Sequence, residues 1–254
     1  MRDRNEWHWF VWGKHPGVSD FICAGTQTPL FQRFTKWVDN GFARITKDDE
    51  LRSRHCSWRF WTHGAADDIV CGLVRNSCDS YGRSFPLLYL GTGQLKGWAD
   101  NCSLLPFAFE PIWKNFEYAG AARYHSVQRL SQTLQLMQAP GPEWQQYRQR
   151  IFNEPNLYST ARFEEESSGH NRVFKIECQF PENLPLDLNF CNQVMSKGAQ
   201  HPAKAVFIGE IGRRIAVAIV DDVLTPSDFS WLWSFRPIDR TEHDRNQNET
   251  MHQH

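Results

Sequence analysis

Asp79 and Arg83 stand four residues apart in Cys78-Asp79-Ser80-Tyr81-Gly82-Arg83-Ser84, a polar connection between two apolar runs. A carboxylate and a guanidinium so spaced in a loop either brace the loop as a structural pair or hold charge toward a ligand. Three further charged residues sit beside aromatic runs. Lys14 follows Gly13 after Trp7–Trp12, Asp20 precedes Phe21, and Arg59 stands between Trp58 and Phe60, where it can stack or pair with a carboxylate.

The familiar catalytic spacings do not occur. A phosphate loop ending at Gly13-Lys14 needs glycine at position 8 and Ser or Thr at 15, and the chain has His8 and His15. Ser19 and Ser84 lack the Gly-x-Ser-x-Gly context of a nucleophile elbow. His55, His63 and His125 are isolated and read as surface or satisfied structural residues. The seven cysteines are odd in number and show no paired Cys or Cys/His ligand spacing, which fits reduced thiols in a cytosolic protein. No metal and no cofactor is expected.

The elements that must position the charged residues are legible from periodicity. Ile69–Val74 and Phe85–Leu90 are nearly continuous apolar runs, the pattern of central strands covered on both faces, with Pro86 marking a strand start or a bulge. Trp7–Trp12 reads as a strand broken by Gly13–Gly17, a second extended segment begins at Ser19-Asp20-Phe21, and Ser57–Trp61 is another strand. Thr28 caps a helix with Pro29 in its first turn and Leu30, Phe31, Phe34, Trp37, Val38 and Phe42 along one face. Helices are expected between Pro106 and Ile151, interrupted at Ala139–Pro142.

Beyond them, Glu164–Gly169 reads as a linker or exposed loop. Phe174–Phe180 alternates as a half-buried strand, Leu186–Met195 is a helix, and 205–208 with 215–220 form a hairpin. Thr225-Pro226-Ser227-Asp228 opens a last helix with Asp228 reaching back as a cap. The tail after Pro237 is polar without periodicity and is expected to be disordered.

The chain has 254 residues, 41% hydrophobic, with 18 Phe and 11 Trp, enough for a sizeable core. Its formal charge of −1 gives no electrostatic ground for nucleic acid as a partner. No apolar stretch reaches the ~18 residues of a membrane span, and the N-terminus lacks a signal-peptide core, so no membrane insertion is expected. So many aromatics exceed what one core must hide. A few of Trp7, Trp9, Trp12 and Trp98 are therefore expected at the surface, although for each taken alone the core is the better assignment.

Three ordered segments carry a family resemblance: Trp12-Gly13-Lys14-His15-Pro16-Gly17-Val18-Ser19-Asp20-Phe21, then Trp58-Arg59-Phe60, then Asp79-Ser80-Tyr81-Gly82-Arg83-Ser84-Phe85-Pro86-Leu87. Together they resemble the type VI secretion-associated TagF family, which has a Gly-Lys-x-Pro-x-x-Gly-Asp-Phe segment, a Trp-Arg-Phe strand and an Asp-x-x-Gly-Arg-x-Phe-Pro segment. Ser19 stands where the family has Gly. The resemblance covers the first half well and the remainder more loosely. It implies an α+β fold, an antiparallel sheet covered by helices in the manner of longin and profilin domains, with a smaller C-terminal α+β unit. The expected organisation is 1–153 as the N-terminal domain, 154–237 as the smaller unit and 238–254 as a tail.

The resemblance also implies a cytoplasmic, non-catalytic regulator. Such a protein represses secretion post-translationally, in some systems by binding a forkhead-associated-domain protein, and opposes phosphorylation-dependent activation. It gathers Lys14, Asp20, Trp58, Arg59, Asp79 and Arg83 into one candidate cluster, functional or structural, at one end of the sheet. An anion or small-molecule module using Lys14, Arg59 and Arg83 is the alternative, and a hydrolase the third. Oligomeric state is not legible.

Overall fold

A computed structural model describes residues 7–45, 55–64, 67–122, 126–153, 163–168, 171–177, 203–211 and 214–235. The expected helix 186–195 and the tail after 237 lie outside them.

The described strands form one nine-stranded antiparallel sheet. Its strands are β1 (His8–Lys14), β2 (Phe21–Gly25), β3 (Ser57–His63), β4 (Asp68–Arg75), β5 (Leu87–Gln94), β6 (Phe163–Ser168), β7 (Asn171–Glu177), β8 (Ala205–Ile211) and β9 (Arg214–Val220). They run in the order β2-β1-β5-β4-β3-β8-β9-β7-β6. The two apolar runs become β4 and β5, neighbours in the sheet interior, buried at all six central positions of the one and at seven of eight positions of the other. Pro86 falls just before β5, where its missing N–H costs nothing in the ladder.

The α+β expectation holds, with helices on both faces. On one face lie α1 (Pro29–Ile45) and α5 (Pro226–Ser234); on the other α2 (Leu105–Ala121), α3 (Val127–Gln135) and α4 (Trp144–Asn153). Thr28 caps α1 by accepting the Phe31 N–H, and Phe31, Phe34, Trp37, Val38 and Phe42 are its buried stripe. Asp228 and Thr225 close a capping box at α5. Trp37 donates its indole N–H to the Thr225 carbonyl at 2.8 Å, which locks α5 against α1.

Strands after residue 154 continue this sheet. β8 pairs with β3 from Trp58↔Gly209 to Thr62↔Ala205, and both cores draw side chains from either side of that boundary.

Two expectations are corrected. The acidic stretch Glu164–Ser168 is strand rather than linker: it pairs with β7 from Phe163↔Ile176 to Ser168↔Asn171 and ends the sheet, where a strand paired on one side tolerates successive charges. Trp7 and Trp9 are buried, as the assignment of each taken alone has it, and so are not among the few tryptophans expected at the surface. They stack on each other and meet Phe109 and Phe116 of α2 edge-on. The space they fill lies over Gly91 and Gly93 of β5, where any Cβ would stand within 3 Å of the indole rings. Trp12 and Trp98 are half-buried.

Candidate functional site

The connection from β4 to β5 folds on itself around one carboxylate. A bridge between Cys78 and Ser84 closes its base, and Asp79 Oδ1 accepts the backbone N–H groups of Tyr81 and Arg83, each at 3.0 Å. That is the local turn an aspartate forms most readily. Asp79 Oδ2 takes Arg83 Nε at 2.7 Å and Lys14 Nζ at 3.0 Å, so four donors surround a side chain with no exposed surface. Burial alone would push this carboxyl up. The Lys14 ammonium, the Arg83 backbone and guanidinium and the Tyr81 N–H outweigh burial and hold it at about 2.

Lys14 reaches this point because β1 approaches β5 closely at its end. Gly13 has φ +124, and a Cβ there would meet the Pro86 carbonyl oxygen at 2.0 Å, so only glycine fits. The β1–β2 turn is tied to the same knot: Arg83 Nη2 donates to the Ser19 carbonyl at 2.8 Å, and Ser80 N–H donates to the Val18 carbonyl at 2.9 Å. Asp20, exposed, turns its carboxylate onto the Phe21 N–H at 2.7 Å. His15 is buried beside it. Its Nδ1 accepts the Gly17 N–H, so Nε2 carries the proton and donates to the Ala119 carbonyl of α2 at 3.2 Å. Burial, with Arg75 nearby, lowers its pKa against the pull of Ala119 and keeps the imidazole neutral.

Of the six residues picked from sequence, the structure brings together Lys14, Asp79 and Arg83, with Asp20 on the adjoining turn. Arg59 and Trp58 have other partners. Arg59 sends Nε and Nη2 to Glu117 Oε1 of α2, both at 2.6 Å. Trp58, next along the strand and so on the opposite face, is buried with its indole N–H donating to the Leu232 carbonyl of α5. Each of the three basic groups proposed for an anion site thus already faces a carboxylate. Sequence reasoning gave no site role to His15 and Glu117; Lys14-His15-Pro16 is adjacent to a chosen residue, whereas nothing in sequence links Arg59 to position 117.

Chemically the knot is a brace. An acid held at about 2 with every oxygen engaged is a poor proton acceptor, and the adjoining cations are shared with it. A separate cleft of about 290 Å³, lined by Asp100, Asn101, Ser103, Leu104, Arg148 and Ile151, is bridged by Arg148 donating to Asn101 Oδ1. Among the described residues Cys23, Cys56, Cys71, Cys78 and Cys102 form no disulfide, and burial pushes the Cys71 thiol up. Among the described residues no His, Cys, Asp or Glu grouping has the arrangement of a metal site, and no helix is long and apolar enough to cross a membrane.

A family model described as the TagF N-terminal domain, type VI secretion system-associated, matches residues 10–138. The chain belongs to the TagF family. The matched TagF region contains the Lys14–Asp79–Arg83 knot together with β1 from Phe10 onward, β2 to β5 and the helices α1 to α3. The crystal structure of PA0076 from Pseudomonas aeruginosa PAO1 shares the fold, with a TM-score of 0.50 at 17% identity over 89% of this chain and 93% of that chain. Comparison with curated proteins gives no match.

Proposed function

We propose that this TagF-family chain is a cytoplasmic, non-catalytic repressor of type VI secretion, acting after translation by occupying a forkhead-associated-domain component. The observation that carries the proposal is the family match across residues 10–138. The chemistry of the most elaborate polar cluster agrees with it: Asp79 is spent on holding Lys14, Arg83 and two backbone N–H groups, an arrangement that rigidifies a loop rather than transferring protons. Binding then acts by mass action, and repression follows the fraction of partner occupied.

The test titrates purified protein against the forkhead-associated component by calorimetry and measures secretion while the dose of this chain is varied in cells. Stoichiometric binding with repression proportional to occupancy is the expected result. Repression at far below one copy per partner, with a chemically altered partner recovered, would overturn the proposal in favour of an enzyme.

A further inference from the structure

Arg75 ends β4 on the sheet face that α2 covers. It lies opposite Ser57 and Leu87, two residues beyond the buried Leu73, and Leu73 stands opposite Arg59 on β3. The two guanidiniums are therefore diagonal neighbours on adjacent strands, within reach of successive turns of the same helix. Glu117 of α2 takes Arg59. Three residues on, at the helix position that stands over Arg75 as Glu117 stands over Arg59, the chain has Gly120, and a Cβ built there lies 3.7 Å from Arg75 Nη1.

Among the described residues the half-buried Arg75 side chain makes no hydrogen bond and no ion pair. A guanidinium partly withdrawn from water, with five N–H donors uncommitted, is costly unless an acceptor faces it. The nearby groups supply none. His15, whose pKa burial and the Arg75 charge both lower, is neutral and gives its Nε2 proton to the Ala119 carbonyl. Glu117 is engaged by Arg59, and Asp79 by Lys14 and Arg83. The C-terminal end of α2 adds a negative partial charge of about half a unit, which leaves the positive charge of Arg75 only partly balanced.

We infer that Arg75, beneath Gly120, is the binding site for one small oxyanion, a carboxylate or phosphate group received by the guanidinium fork. The planar fork matches two oxygens of either group, and the place a side-chain carboxylate would fill is left open by the glycine. The site is independent of the forkhead-associated partner proposed above.

Nitrogen–proton correlation spectra of the arginine Nε–H groups in the full chain test it, with the Arg75 signal assigned by its loss in Arg75→Gln. Sodium phosphate and, separately, sodium acetate are titrated at an ionic strength held constant with sodium chloride. The Arg75 signal shifts saturably, half-saturating at about 10 mM or below, the scale of two charge-assisted hydrogen bonds, while that of the exposed Arg129 does not saturate. Saturation by acetate alone assigns a carboxylate, by phosphate alone a phosphate group. The saturating anion raises Tm of the natural chain and leaves that of Arg75→Gln unchanged.

Gly120→Asp places an internal carboxylate over Arg75 and weakens anion binding by about tenfold or more, whereas Gly120→Asn, of the same size without the charge, changes it by less than about threefold. Folding of each variant is checked by its thermal transition. No saturable shift with either anion, the same shift at Arg129, an equal rise of Tm in Arg75→Gln, or equal effects of Gly120→Asp and Gly120→Asn each overturns the site, and none of these results bears on the forkhead-associated partner.

Discussion

Asp79 and Glu117 are both acids paired with cations beside the same sheet, and they are built to different standards. Asp79 has no exposed side-chain surface and collects four donors from segments more than sixty residues apart, Lys14 on one side and Tyr81 with Arg83 on the other. Glu117 is 34% exposed, sits on a helix, and takes a single partner, Arg59, through one oxygen. The difference is what each would strand if removed. Without Asp79, two backbone N–H groups and a nearly buried ammonium lose their acceptor, and the ion pair that joins the end of β1 to the β4–β5 connection goes with them. Without Glu117, Arg59 loses its partner and water can replace it.

The largest effect is therefore expected at Asp79. Asp79→Ala should lower Tm by roughly 10 °C, from the usual cost of breaking a buried charge pair and the unfolding entropy of a chain this size. Thermal unfolding followed by circular dichroism measures it. A loss under about 2 °C would put Asp79 in the same class as Glu117 and erase the contrast.

The pH dependence sharpens the contrast next. The Asp79 carboxyl is held at about 2 in the fold against an ordinary 3.8. In the unfolded chain it binds a proton near its ordinary value, so between those values the unfolded state holds more protons and folding is favoured by rising pH. The stabilisation from this group is complete above about 4 and disappears as pH falls toward about 2. In thermal scans across that window, the Tm gap between the natural protein and Asp79→Asn should narrow steadily with acid. A gap that stays constant would show that the carboxylate charge contributes nothing and that shape alone holds the loop.

How far all this could be read from sequence depended on whether the deciding contacts were local. The β4 and β5 runs were legible because strands covered on both faces must be continuously apolar, and α1 because its stripe and its Thr28 cap lie within one turn of each other. Asp79 with Arg83 was legible for the same reason. Lys14 joined them through strand register: β1 must lie against β5 with Gly13 facing Leu87, and a resemblance, not a pattern, pointed there. That Arg59 can pair with a carboxylate was legible, but not that the carboxylate is Glu117, because its face depends on pairing parity with β4 and β8 and its partner lies 58 residues away on α2. Trp7 and Trp9 looked too many for the core because the room for them is made by Gly91 and Gly93 on another strand. The acidic β6 read as a linker because its strand character comes from pairing with β7.

The smallest effect is expected at Glu117, and it is the one that tests whether the comparison concerns burial or merely charge. Arg59 is largely covered, 20% exposed at its side chain, while Glu117 is open enough for water to compete for its oxygens. In Glu117→Gln the side-chain oxygen can still accept from Arg59, and what is lost is the charge term of a partly solvated pair, about 0.5 kcal/mol. That corresponds to a fall of roughly 1 to 2 °C in Tm for a chain of this length, shrinking further at high salt because screening reaches an exposed pair more easily than a buried one. Thermal scans at low and high ionic strength measure both features. A fall as large as that of Asp79→Ala, insensitive to salt, would mean that the Arg59–Glu117 pair is a second buried brace between β3 and α2, and that exposure is a poor guide to which acids hold this fold together.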